Sequence, residues 1–108
     1  MLKELTQIFG VSGREKEIAS YVAELVKPYV DEVKIDALGN VITYKKGTAA
    51  NPKKIMASAH IDEIGFMVTK ITDDGYLKVR AVGGISMYTS YANRIVYSLV
   101  IHKSKVSI

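Results

Sequence analysis

The sequence predicts an α/β fold in which helices near the N-terminus pack on a mixed β-sheet. Apolar residues recur at helical spacing from Ile18 to Tyr29, and this pattern predicts an amphipathic helix. Apolar and charged residues alternate from Glu32 onward, which is typical of a strand with one covered face. The stretch 55–60 is small or apolar at almost every position, as in a strand covered on both faces in the middle of an α/β sheet.

The first two predicted elements are helices. Leu2–Phe9 places its apolar side chains on one helical face, and Gly10 ends that helix. Ser12 and Glu15 have the spacing of a capping box, in which the serine hydroxyl accepts a backbone N–H and the glutamate reaches back. The second helix therefore begins after this box and continues to about residue 27, because Pro28 ends or kinks a helix.

The next elements are predicted strands. The strand that begins at Glu32 turns at 38–40, where Leu-Gly-Asn is a turn signal, and returns over Val41–Tyr44. The stretch 45–54 holds four lysines together with glycine and proline, and it predicts an exposed loop. No aromatic residue is interleaved with these lysines, so the loop is a poor candidate for a nucleic-acid site.

A second hairpin follows the covered strand. Gly65–Ile71 and Tyr76–Val82 are joined by Asp73-Asp74-Gly75, which is a strong hairpin signal. The glycine pair 83–84 breaks the chain, and Arg94–Ile101 is predicted to form one more strand.

Composition excludes several classes of protein. With 108 residues, 48% of them hydrophobic and 24% charged, the chain has the composition of one small globular domain. It contains no cysteine, which excludes disulfides, thiolate metal sites and a cysteine nucleophile. No apolar run approaches the roughly 20 residues of a membrane span, and the first residues lack the pattern of a secretory signal. The net charge of +4 is mild, so we expect a cytoplasmic protein that binds neither nucleic acid nor membrane.

The candidate chemical site is a His-x-Asp motif at the end of the covered strand. His60 would lie at the carboxyl end of that strand, which is the edge where open α/β sheets bind ligands. A neutral imidazole is a good zinc or cobalt ligand, and Asp62 can hold its other ring nitrogen. Taken alone, such a pair is more often a structural hydrogen bond than a metal site.

The surrounding blocks strengthen the metal interpretation. They occur in order between residue 1 and about residue 96: Leu5-Thr6, Gly10-Val11-Ser12-Gly13, Pro28–Val33, Asp36–Asn40, Ala59–Val68, Asp74–Leu77 and Val82–Ile85. In order and spacing the chain resembles the N-terminal part of the tetrahedral (TET-type) metallo-aminopeptidases. This family is also called the glutamyl or deblocking aminopeptidases, and some members carry the name endoglucanase.

The resemblance implies roles for the motif. Family members hold two divalent ions, usually zinc or cobalt, and release N-terminal residues from peptides. By this resemblance His60 is the first metal ligand and Asp62 is the aspartate that supports it. Glu63 receives no catalytic role and is expected to be a structural carboxylate, and His102 is expected to be a surface residue. The other ligands and the general base of the family lie beyond this chain, so we expect it to be inactive alone.

The resemblance also implies an organisation. Residues 1–71 would be part of an aminopeptidase-like α/β/α catalytic domain. Residues 72–108 would begin a β-barrel dimerisation domain and diverge from the family after about residue 97. Because sheet edges and apolar faces would remain open, we expect the chain to form a homo-oligomer or to bind a complementing chain.

One other function remains open at this point, and a second is disfavoured. The chain could be a non-enzymatic oligomerisation or regulatory module that keeps the family fold. A glycosidase is the weaker interpretation, because glycosidases need paired carboxylates. Asp62 and Glu63 are neighbours in sequence and would point to opposite faces of a strand.

Overall fold

The computed structural model describes residues 2–86. Within them, two helices precede two antiparallel β-hairpins, so the chain has the predicted α/β class. The elements in chain order are α1 (Leu2–Leu5), α2 (Lys16–Val26), a 3₁₀ turn (Lys27–Tyr29), β1 (Glu32–Ile35), β2 (Val41–Tyr44), β3 (Gly65–Ile71) and β4 (Leu77–Val82). The predicted strand Arg94–Ile101 and His102 lie outside the described residues. None of the helices in residues 2–86 is long and apolar enough to cross a membrane.

The strands of residues 2–86 form two separate antiparallel pairs, where the sequence predicted one mixed sheet. Strand β1 pairs with β2, and β3 pairs with β4. A parallel bridge between Val11 and Glu63 is the one contact of mixed-sheet type among the described residues. The difference follows from connection length, because short turns pair neighbouring strands while distant strands need a partner brought from elsewhere.

Local turn chemistry determines both hairpins. In the β1–β2 turn, Gly39 has a φ of 88° and the Asp36 carboxylate accepts hydrogen bonds from the backbone N–H groups of Leu38 and Asn40, each at 2.9 Å. In the β3–β4 turn, Gly75 has a φ of 86°, and Thr72 Oγ1 accepts the Tyr76 N–H at 2.9 Å. Positive φ favours glycine, and a glycine lies at the position of positive φ in each turn. Both turns therefore occur where the sequence predicts them.

Helix α2 carries the small core. Its buried side chains are Ile18, Ala19 and Ala23, and the helix packs against β1 and β2. The α2 helix ends at Val26, and Pro28 lies in the 3₁₀ turn that follows, as predicted.

The predicted capping box is not formed. The cap position of α2 is Glu15, which makes no side-chain capping bond to the helix. Glu15 does reach back, because its Oε1 accepts the Gly13 N–H at 2.5 Å. The Ser12 hydroxyl instead donates to Asp62, far along the chain.

The predicted covered strand is also wrong for the described part of the chain. Residues 55–60 form no strand and are exposed, with Ile55 at 89% and Met56 at 91%. An apolar stretch becomes a strand only when a neighbour satisfies its backbone groups, and residues 2–86 offer it none.

Candidate functional site

The site begins with a contact between two distant segments, the loop 10–13 and the segment 60–65. The Glu63 N–H donates to the Gly10 carbonyl at 2.9 Å, and the Ser12 N–H donates to the Glu63 carbonyl at 3.3 Å. The Gly10 N–H donates to Glu63 Oε1 at 3.2 Å. These three bonds align the loop before α2 with the segment that carries the histidine.

Glycines allow this close approach. A Cβ at Gly65 would lie 2.5 Å from Val11 Cγ2, and a Cβ at Gly10 would lie 2.9 Å from Ile18 Cγ2. Both distances are shorter than real Cβ contacts, so a larger residue at Gly65 would push the two segments apart, and a larger residue at Gly10 would push the loop away from α2.

The Asp62 carboxylate is the centre of the site. Its Oδ2 accepts the Ser12 hydroxyl at 2.5 Å, and its Oδ1 lies 2.9 Å from His60 Nδ1. The Asp62 backbone carbonyl lies 3.1 Å from the same nitrogen. One aspartate therefore joins a serine of the loop 10–13 to the imidazole of the segment 60–65.

The charge of the Asp62 carboxylate determines which ring nitrogen of His60 is free to bind a metal. The Ser12 hydrogen bond, followed by the bond to His60, lowers the pKa of Asp62 below its ordinary value. An ionised carboxylate only accepts hydrogen bonds, so the hydrogen of the neutral ring lies on Nδ1. The Nε2 atom then carries an unshared electron pair, which is the atom that binds a metal.

The imidazole is accessible. The His60 side chain is 86% exposed and the Asp62 side chain is 38% exposed. Beside them is a groove of about 290 Å³ between the two helices and the segment 60–63, with an apolar floor formed by Leu2, Leu5, Ile8, Ile18 and Val22. The ring is therefore held by hydrogen bonds rather than by packing.

The described residues fit a metal as one ligand and no more. No group of three or more His, Asp or Glu side chains within residues 2–86 could enclose an ion. His60 offers Nε2, whereas both carboxylate oxygens of Asp62 are already hydrogen-bonded. The donor set suits a supporting position for Asp62 and a single ligand position for His60.

The structure brings His60 and Asp62 together, while their metal roles stay predictions. Glu63 accepts a hydrogen bond from the Gly10 N–H, and His102 lies outside the described residues. Ser12 was missed as a site residue, because its spacing to Glu15 imitates a helix cap. Its place in the sequence between Gly10 and Gly13 was the available signal.

Comparison with known proteins gives a consistent result. The family model for the M42 glutamyl aminopeptidases matches residues 39–106. A protein of Acetivibrio thermocellus that carries an aminopeptidase name is 52% identical over 95 residues, which is 88% of this chain and 28% of that protein. The lysyl aminopeptidase of Pyrococcus furiosus is 45% identical over 96 residues, which is 88% of this chain and 27% of that protein.

Solved structures also match. An aminopeptidase from Desulfurococcus kamchatkensis superposes with a TM-score of 0.73 and 46% identity, over 79% of this chain and 23% of that one. A Thermotoga maritima structure named endoglucanase has a TM-score of 0.71 and 41% identity, over 79% of this chain and 27% of that one. A TET aminopeptidase from a thaumarchaeote of marine sediment has a TM-score of 0.69 and 40% identity, over 77% of this chain and 23% of that one. The chain spans about a quarter of the length of these proteins.

Proposed function

Because this chain belongs to the M42 glutamyl aminopeptidase family, we propose that it supplies one metal ligand, His60, to a dinuclear aminopeptidase site. The sequence resemblance to TET-type aminopeptidases is confirmed, including the endoglucanase name that one matching structure carries. The observation that carries the proposal is the exposed imidazole whose Nδ1 is held by Asp62, which leaves Nε2 open.

The residues of this chain would act by holding and orienting. When bound, two zinc or cobalt ions would lower the pKa of a bound water and polarise the peptide carbonyl. His60 would bind through Nε2, and Asp62 would fix the ring and raise its basicity as a ligand. The remaining ligands and the general base would have to come from polypeptide outside residues 2–86, because those residues contain no ligand cluster.

The proposal has three wider parts. The substrate of the assembled site is the free N-terminal residue of a peptide. The isolated chain is inactive and joins copies of itself or a complementing chain through its exposed apolar segment. The assembled protein works in the cytoplasm, as the sequence leads us to expect.

A chimera tests the ligand role. Residues 1–96 of this chain would replace the matched stretch of the Acetivibrio thermocellus relative, and hydrolysis of aminoacyl-p-nitroanilides would be measured with and without zinc or cobalt. We expect metal-dependent hydrolysis, and we expect His60→Ala to lower kcat/KM more than about 100-fold, since losing a ligand exceeds the effect of losing an outer partner. Lys54→Ala, in the exposed lysine loop, is the matched control and should change kcat/KM little.

Two results would contradict the proposal. One is a folded chimera in which His60→Ala keeps full activity. The other is release of N-terminal residues by the 108-residue chain alone, which would mean that the chain contains a complete site.

A non-enzymatic module is the second candidate. Its support is the exposure of Ile55 and Met56, which suits a surface for assembly whether or not the site is active. A folded chimera that binds no zinc or cobalt and hydrolyses nothing, in a relative that does both, would favour this candidate.

A further inference from the structure

We propose that Ser12 is a positioning residue for His60, acting through the Asp62 carboxylate. Its importance for metal binding rests on the proposed function above. The hydrogen-bond relay itself, from the serine hydroxyl to the carboxylate to the imidazole, stands on the geometry of the chain alone.

The first step is that one carboxylate serves both partners through different oxygens. Ser12 donates to Oδ2 at 2.5 Å, while His60 Nδ1 lies 2.9 Å from Oδ1. A bond at Oδ2 restricts rotation of the carboxylate about its axis, and this rotation determines where Oδ1 lies. The serine therefore controls the acceptor that the imidazole uses.

The second step is that the Ser12 hydroxyl is committed to this task. It does not cap α2, whose cap position is Glu15. The Ser12 backbone N–H donates to the Glu63 carbonyl at 3.3 Å. The Gly10 N–H of the same loop donates to Glu63 Oε1. The hydroxyl is thus delivered to Asp62 by a loop that is anchored independently of the hydroxyl.

The third step is that hydrogen bonds, rather than packing, orient the His60 ring. Its side chain is 86% exposed, so packing does not select its rotamer. Within residues 2–86, both hydrogen-bond contacts of the ring come from Asp62, one through Oδ1 and one through the backbone carbonyl. Loosening the carboxylate would release the ring and let Nδ1 and Nε2 exchange their roles.

The test compares two variants that differ by one hydroxyl. Ser12→Thr keeps the hydroxyl and Ser12→Val removes it, while both side chains are β-branched and nearly equal in volume. The full chain, labelled with ¹⁵N-histidine, would be studied by long-range ¹H–¹⁵N NMR at a pH where both imidazoles are neutral. His102 is the other histidine of the chain and serves as an internal reference.

We expect Ser12→Thr to keep the Nδ1–H tautomer of His60. We expect Ser12→Val to shift the tautomer ratio about fivefold toward Nε2–H, the equivalent of one ordinary hydrogen bond. Thr72→Ala removes a hydroxyl from the β3–β4 turn and should leave the ratio unchanged. An unchanged ratio in Ser12→Val, or equal shifts in all three variants, would overturn the relay.

The consequence for metal is measured separately in the chimera. Ser12→Val should weaken zinc binding roughly tenfold relative to Ser12→Thr, at the lower end of outer-shell effects. Equal zinc affinities would overturn the positioning role. A chimera that binds no zinc in any form, with the tautomer shift intact, would refute the proposed function and leave the relay standing.

Discussion

The β3–β4 hairpin and the stretch 55–60 that precedes it, the unpaired segment, are both predicted to form strands, yet only the hairpin pairs with itself. The hairpin pairs from Gly65 with Val82 to Ile71 with Leu77, with one irregularity between Val68 and Lys70. Within the described part of the chain, no backbone hydrogen bond involves residues 51–59.

The difference shows where each structure is encoded. A hairpin needs a turn and two strands a few residues apart, so a short sequence determines it. A strand covered on both faces needs neighbours on both edges and covering layers, and these are contributed from far away in the chain or from another chain. The site residue His60 ends the unpaired segment. The polypeptide that pairs with this segment would therefore complete both the sheet and the site.

The largest expected effect is on association through the unpaired segment. Replacing Ile55 and Met56 by lysine removes two exposed apolar side chains, each worth about 1.5–3 kcal/mol when fully buried. We expect the unchanged chain to self-associate at micromolar concentration and the double variant to do so at least about tenfold more weakly. Sedimentation velocity measures both.

A matched double variant shows whether association depends on the unpaired segment or on exposed apolar side chains in general. Tyr29 and Leu38 are exposed at 73% and 87%, but they lie in turns rather than on an open strand-like stretch. Their replacement by lysine should weaken association much less. A monomeric unchanged chain, or equal effects of the two double variants, would remove the contrast between the two regions.

An intermediate effect is expected in the hairpin turn. Gly75 has a φ of 86°, so Gly75→Val should destabilise the β3–β4 pair by about 1–2 kcal/mol. Amide hydrogen exchange would show this as faster exchange in β3 and β4. Gly84→Val is the control, because Gly84 has open space around it and no positive φ. Equal protection in both variants would mean that the turn does not determine the hairpin.

The smallest effect is the pH dependence of the β1–β2 hairpin. Hydrogen bonds from Asn40, side chain first and then backbone, lower the pKa of Asp36. A lowered folded pKa means that the stabilisation is present above the ordinary pKa of an aspartate and is lost as the pH falls through the lowered value. NMR shifts of the Asn40 side-chain amide should therefore change as the pH falls below the ordinary pKa of an aspartate and through the lowered pKa of Asp36. Asp36→Asn should abolish this change, and a change of the same size in that variant would refute the assignment.

What could be predicted from the sequence follows the same division. The turns at Asp73-Asp74-Gly75 and around Gly39 were predicted, as was the end of α2 near Pro28, because each depends on a few adjacent residues. The domain boundary at 71–72, which lies at the β3–β4 turn, stays a prediction, as does the β-barrel that would follow it.

The errors concern long-range partners. The stretch 55–60 has the composition of a covered strand, but no local pattern shows whether a neighbouring strand is available. The Ser12–Glu15 spacing predicts a capping box, yet Glu15 is itself the cap position and accepts the Gly13 N–H. The serine hydroxyl binds Asp62, which is 50 residues away. The pairing of His60 with Asp62 could be expected because two residues of spacing place both side chains on one side of an extended chain.

The central claim is that Nε2 of His60 is one ligand of a metal centre whose other ligands lie outside residues 2–86. Anomalous diffraction at the zinc or cobalt edge, from crystals of the chimera, tests it most directly. We predict an ion about 2.1 Å from His60 Nε2, with Nδ1 still bonded to Asp62. Ions held without His60, or bound through its Nδ1, would contradict the account.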